Sequence, residues 1–202
     1  MESLSDRLKS LGVQIGTQDL KPRVEKNHFP IEDVIAGDEI ATPLGSVYQI
    51  TQDYDFHYQH GQVHFDAPLS LDLLREWGKT APEKTSRIDQ LIFLDTETTG
   101  LAGGAGTFAF LVGLGIWNPE GFRLVQLFMR SPAEEPAMLA VLSRIVNPFT
   151  TVVTFNGKSF DIPLLNSRHL INSMITPFAD MAHLDLLPLA RRLWRNRLPS
   201  RA

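Results

Sequence analysis

Apolar positions along the chain follow two periods, and the switches between them mark the elements. The first part carries the weaker signal. Leu4, Leu8 and Leu11 form one stripe of a short helix that stops at Gly12. Residues 17–30, with Lys21, Pro22 and Pro30 among polar neighbours, read as linker. From Ile40 to Phe65 apolar and polar residues alternate. Val47-Tyr48-Gln49-Ile50-Thr51 and Gln62-Val63-His64-Phe65 predict strands, and His60-Gly61 supplies a turn. Ser70 is placed to cap a short helix through Leu71, Leu73, Leu74 and Trp77. Gly78 to Asp89 is a polar connector and sets the expected boundary between an N-terminal extension, residues 1–89, and a second domain, residues 90–202.

The second region is richer. Leu91 to Leu94 is a continuous apolar run, as expected of a strand buried on both faces. A glycine-rich turn follows from Gly100 to Gly106. Phe108 to Trp117 and Phe122 to Met129 predict two more strands joined by Asn118-Pro119-Glu120-Gly121. Glu134 to Val146 carries Met138, Leu139, Leu142, Ile145 and Val146 at helical spacing. Thr150 to Phe155 is β-branched and predicts another buried strand. Asp161 and Asp185 are each placed to cap a helix, with Pro163 and Pro188 in the first turns. Three antiparallel strands followed by βα units describe an α/β fold, a mixed sheet with helices on its faces and a mainly β extension before it.

Composition changes this picture little. Hydrophobic residues make up 43% and charged residues 21% of the 202, ordinary globular usage. The absence of cysteine excludes disulfides, thiolate zinc sites and a cysteine nucleophile. No apolar run reaches the ~18 residues of a membrane span, and Met1 to Gly12 is too polar for a signal peptide, so a soluble, cytoplasmic protein is expected. Charge adds more. Residues 1–89 hold nine basic against fifteen acidic side chains, whereas residues 90–202 hold ten against eight. Arg191 to Ala202 contains five arginines and no acid, either a solvated tail or a phosphate-contacting surface.

The sharpest chemical feature is Leu94-Asp95-Thr96-Glu97-Thr98-Thr99-Gly100. Period two puts Asp95 and Glu97 on one face at the end of a strand, with backbones about 6–7 Å apart. Carboxylates held that close raise each other's pKa unless a cation lies between them. Oxygen donors without nearby His or Cys favour Mg²⁺ or Mn²⁺, and a pair of such ions can activate water and stabilise the leaving oxygen of a phosphodiester. In Val153-Thr154-Phe155-Asn156-Gly157-Lys158-Ser159-Phe160-Asp161 a strand runs through a polar turn into a helix start. Asp161 is either a third metal-ligating oxygen donor or a plain N-cap. Asn156 can bond a phosphate or orient an acid, and Lys158 can neutralise a backbone phosphate. His57, His60 and His64 are close in sequence, but strand alternation and Gly61 argue against a joint metal site.

Asp95-Thr96-Glu97-Thr98-Thr99-Gly100 with Phe155-Asn156-Gly157-Lys158-Ser159-Phe160-Asp161 resembles the first two exonuclease motifs of the DEDD superfamily, whose members have the ribonuclease H-like fold. Leu101-Ala102-Gly103-Gly104-Ala105-Gly106-Thr107, His183-Leu184-Asp185-Leu186-Leu187 and Arg191-Arg192-Leu193-Trp194 are similar to a narrower, bacterial YprB-like group. The resemblance implies a metal-dependent 3′–5′ exonuclease that hydrolyses DNA or RNA from a single-stranded end with two Mg²⁺ or Mn²⁺ ions. It implies that Asp95, Glu97 and Asp161 hold the ions and that Thr98 lies near the terminal nucleotide. Asn156, Lys158, Arg191, Arg192 and Arg195 are then the expected nucleic-acid contacts. The resemblance also implies a fourth carboxylate on a later helix, preceded by a His or Tyr base. The sequence reaches Ala202 before such a helix, so a C-terminally truncated domain of weak or no activity is expected. The rival expectation is a non-catalytic nucleic-acid-binding module.

Overall fold

The computed structural model describes Ser10 and residues 29–65, 70–79, 85, 87–100 and 106–195. The helix expected before Gly12, most of the linker, the glycine run at 101–105 and the tail past Arg195 lie outside the described residues. The chain forms two compact units, Met1–Val34 and Ile35–Ala202. In the first, the described part holds one helical turn, α1 (Ile31–Val34), with Asp33 N donating to Pro30 O at 3.0 Å.

The second unit is built on one seven-stranded sheet. Its strands are β1 (Asp38–Thr42), β2 (Gly45–Asp55), β5 (Leu91–Thr98), β6 (Ala109–Asn118), β7 (Gly121–Phe128), β8 (Thr151–Thr154) and β9 (Ala182–Asp185). They lie in the order β1-β2-β7-β6-β5-β8-β9. The first five in that order are antiparallel, whereas β8 runs parallel to both β5 and β9. The expected α/β mixed sheet, three antiparallel strands and then βα units, is therefore the architecture observed. Strands β1 and β2 pair onto its β7 edge, so a division near residue 89 crosses this sheet.

The turn expected at His60-Gly61 falls one residue later, because His60 pairs with Val63 in a separate short hairpin. β3 (Gln59–His60) and β4 (Val63–His64) make a two-stranded ribbon, and Gly61 takes φ +62° in its turn. His60 and His64 stand exposed.

Helices cover the two sheet faces unequally. α3 (Glu135–Val146) and α4 (Asp161–Ile171) join the larger core, where Met138, Leu139, Leu142 and Leu165 meet Ile92, Leu94, Val112 and Val152. A smaller cluster on Leu91, Val153 and Leu184 takes in α2 (Leu71–Gly78) and α5 (Leu186–Trp194) through Leu71, Leu74 and Leu189. Two of these helices, α2 and α5, begin on a polar side chain that satisfies a free backbone donor. Ser70 Oγ accepts from Leu73 N at 3.4 Å, and Asp185 caps α5 as expected. Between β5 and β7 the described residues leave the second face open. It forms a trough of about 570 Å³ whose floor includes Gly113 and Gly115. A Cβ on Gly115 would stand 2.4 Å from the Phe122 ring, so only glycine admits that ring across β6.

Candidate active site

The site begins where β5 changes character. Ile92 and Leu94 face the larger core, and Leu91 and Phe93 the opposite one. Beyond Leu94 the apolar layers end. Asp95 and Glu97 continue the Phe93 face by strand alternation, and all three line the open trough. The register with β6 then shifts. Glu97 lies opposite Leu111 but Thr98 opposite Ala109, which leaves Phe110 as an additional residue. Such a bulge bends the strand and re-aims its end. The turn is closed by Thr99 N to Phe108 O at 2.9 Å and Phe108 N to Thr99 Oγ1 at 3.0 Å.

β8 brings the third acid. It lies beside β5, all four of its residues are buried, and the turn after it leads directly into α4. Asp161 is the first residue of that helix and is itself buried, at 7% exposure. It makes no side-chain cap; instead Thr96 Oγ1 donates to Asp161 Oδ1 at 2.5 Å. The threonine between the first two acids thus reaches the third from the other side of β5.

Asp95, Glu97 and Asp161 line one cavity of about 420 Å³, shared with Thr98, Asn156 and Phe160. Partial burial, and then the charges of Asp161 and Glu97, push the Asp95 carboxyl above its ordinary value. Asp95 thus lies close enough to Asp161 and Glu97 to feel both charges.

The remaining expected contacts distribute as follows. Thr98 is half-buried, with Oγ1 donating to Gly100 O at 3.1 Å. Asn156 is half-buried in the cavity wall with φ +67°. Lys158 is exposed two residues further on. Arg191, Arg192 and Arg195 are exposed near the end of α5 and do not line the cavity. The structure therefore brings Asp95, Glu97, Thr98, Asn156 and Asp161 together and leaves the four cations on the surrounding surface.

Three features of the site escaped the sequence reading. Thr96 had one available signal, its place between the two acids. Phe155 and Phe160 flank the polar turn with large exposed rings, at 57% and 60% exposure. Asp185 does more than cap α5, and that second role has no local signal. His183, its neighbour, pairs through Nε2 with Thr154 Oγ1 at 2.8 Å. Burial, and then the charge of Lys158, hold the His183 imidazole below its ordinary pKa.

The donor chemistry suits a hard divalent cation, since every acid offers oxygen and their crowding is relieved by positive charge. As the side chains stand, no group of three Asp, Glu or His among the described residues is drawn up to hold an ion. One Asp161 oxygen is turned to Thr96, and a cation competes with that bond for the carboxylate.

Residues 92–202, more than half of the chain, match the RNase H superfamily. This chain belongs to the RNase H superfamily. Superfamily membership agrees with the sheet order above; members of that superfamily are usually nucleases and generally use divalent metals. The uncharacterized protein YprB of Bacillus subtilis (strain 168) is 31% identical over 206 residues. That alignment takes in 94% of this chain and 48% of the relative, so the chain spans about half the length of the curated relative it matches. Among the described residues of this RNase H superfamily member, no helix is long and apolar enough to cross a membrane.

Proposed function

We propose that this chain is a metal-dependent, DEDD-type phosphodiester hydrolase that trims DNA or RNA from a 3′ end. The observation that carries the reading is the shared cavity of Asp95, Glu97 and Asp161, where partial burial and then the charges of Asp161 and Glu97 raise the Asp95 carboxyl. In this reading the three acids hold two Mg²⁺ or Mn²⁺ ions. Bound there, the ions supply an activated water and neutralise charge on the leaving oxygen. The rest belongs to the chain itself. Thr96 orients Asp161 from behind the strand. Thr98 and the Asn156 amide line the space where the terminal nucleotide sits. Lys158 on the polar turn and Arg191, Arg192 and Arg195 on α5 meet backbone phosphates further along the strand.

Labelled single-stranded DNA and RNA, incubated with the chain in Mn²⁺ or in EDTA, test this reading. Slow, weak shortening from the 3′ end that needs Mn²⁺ and disappears in Asp95→Ala and Asp161→Ala is the expected result. The second reading, a non-catalytic nucleic-acid-binding module, draws on the engagement of Asp161 by Thr96. Binding that EDTA leaves unchanged, with no shortening, decides for that module.

A further inference from the structure

Asp185 ends β9, precedes α5, and is buried at 7% exposure. Its carboxylate accepts three backbone N–H groups from two separate stretches of chain. Oδ1 takes Leu187 N at 3.0 Å, which is the helix cap, and Asn156 N at 2.8 Å. Oδ2 takes Lys158 N at 3.1 Å. A cap needs only the first of these. The other two grip the turn between β8 and α4, and that turn delivers Asp161.

The gripped turn has little other freedom. Asn156 is left-handed, at φ +67°, a conformation that asparagine tolerates better than most residues. A Cβ on Gly157 would stand 2.5 Å from Thr154 Cβ and 2.6 Å from its Oγ1, so the backbone rides directly on a β-branched side chain. Two further bonds lead on into the helix, Ser159 N to Asn156 O at 3.1 Å and Ile162 N to Gly157 O at 3.0 Å. With the Asn156 and Lys158 nitrogens turned inward to Asp185, the Asn156 side chain and Asp161 are left lining the cavity of Asp95 and Glu97.

We infer that Asp185 is a positioning residue for the acidic site: by holding the 155–160 turn it sets where Asn156 and Asp161 stand relative to Asp95 and Glu97. This rests on the metal-dependent reading above. A carboxylate suits the task because it offers two acceptor oxygens and no donor. An asparagine keeps one acceptor but turns an NH₂ group toward the Lys158 N–H. Asp185→Asn therefore keeps the cap and loosens the grip, whereas Asp185→Ala loses both.

The test compares the full 202-residue chain with Asp185→Asn, Asp185→Ala, Asp95→Ala and Val141→Ala. Val141 is a core residue of α3 that does not line the acidic cavity and serves as a stability control. Mn²⁺ binding is measured by calorimetry, and amide hydrogen exchange is followed at Asn156 and Lys158. Expected for Asp185→Ala is a Kd for Mn²⁺ raised about 10-fold, with a smaller rise in Asp185→Asn. Relative to α4, exchange speeds up at both amides in Asp185→Ala and chiefly at Lys158 in Asp185→Asn. Val141→Ala lowers the melting temperature but leaves Kd unchanged. Unaltered Mn²⁺ affinity in a folded Asp185→Ala overturns the inference. If that variant does not fold, Asp185→Asn carries the decision, and unaltered Kd and exchange overturn it equally. If the unsubstituted chain binds Mn²⁺ no better than Asp95→Ala, the metal reading has failed instead. The amides then still decide the grip: protection kept in both variants removes it, and protection lost retains it.

Discussion

At the scale of single residues, Asp95 is a site carboxyl whose ionisation its surroundings disfavour. Its carboxyl is raised by partial burial and by the charges of Asp161 and Glu97. The folded chain therefore binds this proton more tightly than the unfolded chain does, and its net effect on stability becomes less favourable as pH rises from about 4 through the folded value. Asp95→Asn removes the charge and should raise the melting temperature in EDTA. The difference from the unsubstituted chain should be small near pH 4 and should grow toward pH 7. A lower melting temperature for Asp95→Asn at pH 7 in EDTA would remove charge crowding as the organising feature of the site. The three acids were legible in the sequence because each is a polar residue placed just where an apolar strand runs out or a helix begins. What holds them was not. Thr96 meets Asp161 across 65 residues, and Asp185 meets Asn156 and Lys158 across 29 and 27. No local pattern encodes such pairs.

Among elements, the placement of α4 depends on a buried ion pair as well as on its apolar stripe. Arg168 on α4 donates from Nε and from an Nη to the two oxygens of Glu135 on α3, both at 2.6 Å. Asn172 Nδ2 adds a third donor to Glu135 at 2.8 Å, and the guanidinium carbon lies 4.2 Å from the Phe108 ring centre. Both charged side chains are almost fully enclosed, at 6% and 5% exposure. Removing one partner leaves a buried charge without its counter-charge. Arg168→Met should thus destabilise by about 3–5 kcal/mol in urea denaturation, and adding Glu135→Met should recover most of that. Equal destabilisation in the single and double variants would show that the loss comes from packing alone. Apolar spacing located both helices, but it gave no hint of this pair, since a charge on a helix reads by default as surface. The strands show a similar division. The alternation at Val47–Thr51 identified β2, yet it could not name β7 as the partner, because alternation sets which side chains share a face and long-range register sets the neighbour.

For the whole molecule, the distribution of charge decides how a polyanion can approach. The cavity gathers Asp95, Glu97 and Asp161, and these repel phosphate until positive charge is supplied. Lys158 and the arginines at the end of α5 stand exposed outside it. The excess of basic over acidic residues after residue 89 was legible by counting. Arg191 and Arg192 fall in the helix expected after Asp185, but the tie of that helix through Asp185 to the Asp161 turn was not legible. If these arginines neutralise phosphates, each contact releases counterions and contributes about 0.7 to the slope of log K against log salt for a single strand. Arg191→Glu with Arg192→Glu should lower that slope by about 1.4 and weaken binding most at low salt. Fluorescence anisotropy with a labelled single strand in EDTA reads this without any cleavage. The loss should be similar for strands of different base composition, because phosphate contacts carry no sequence information. An unchanged slope would move the strand's path off α5. A loss confined to one base composition would assign these arginines to base edges instead of phosphates.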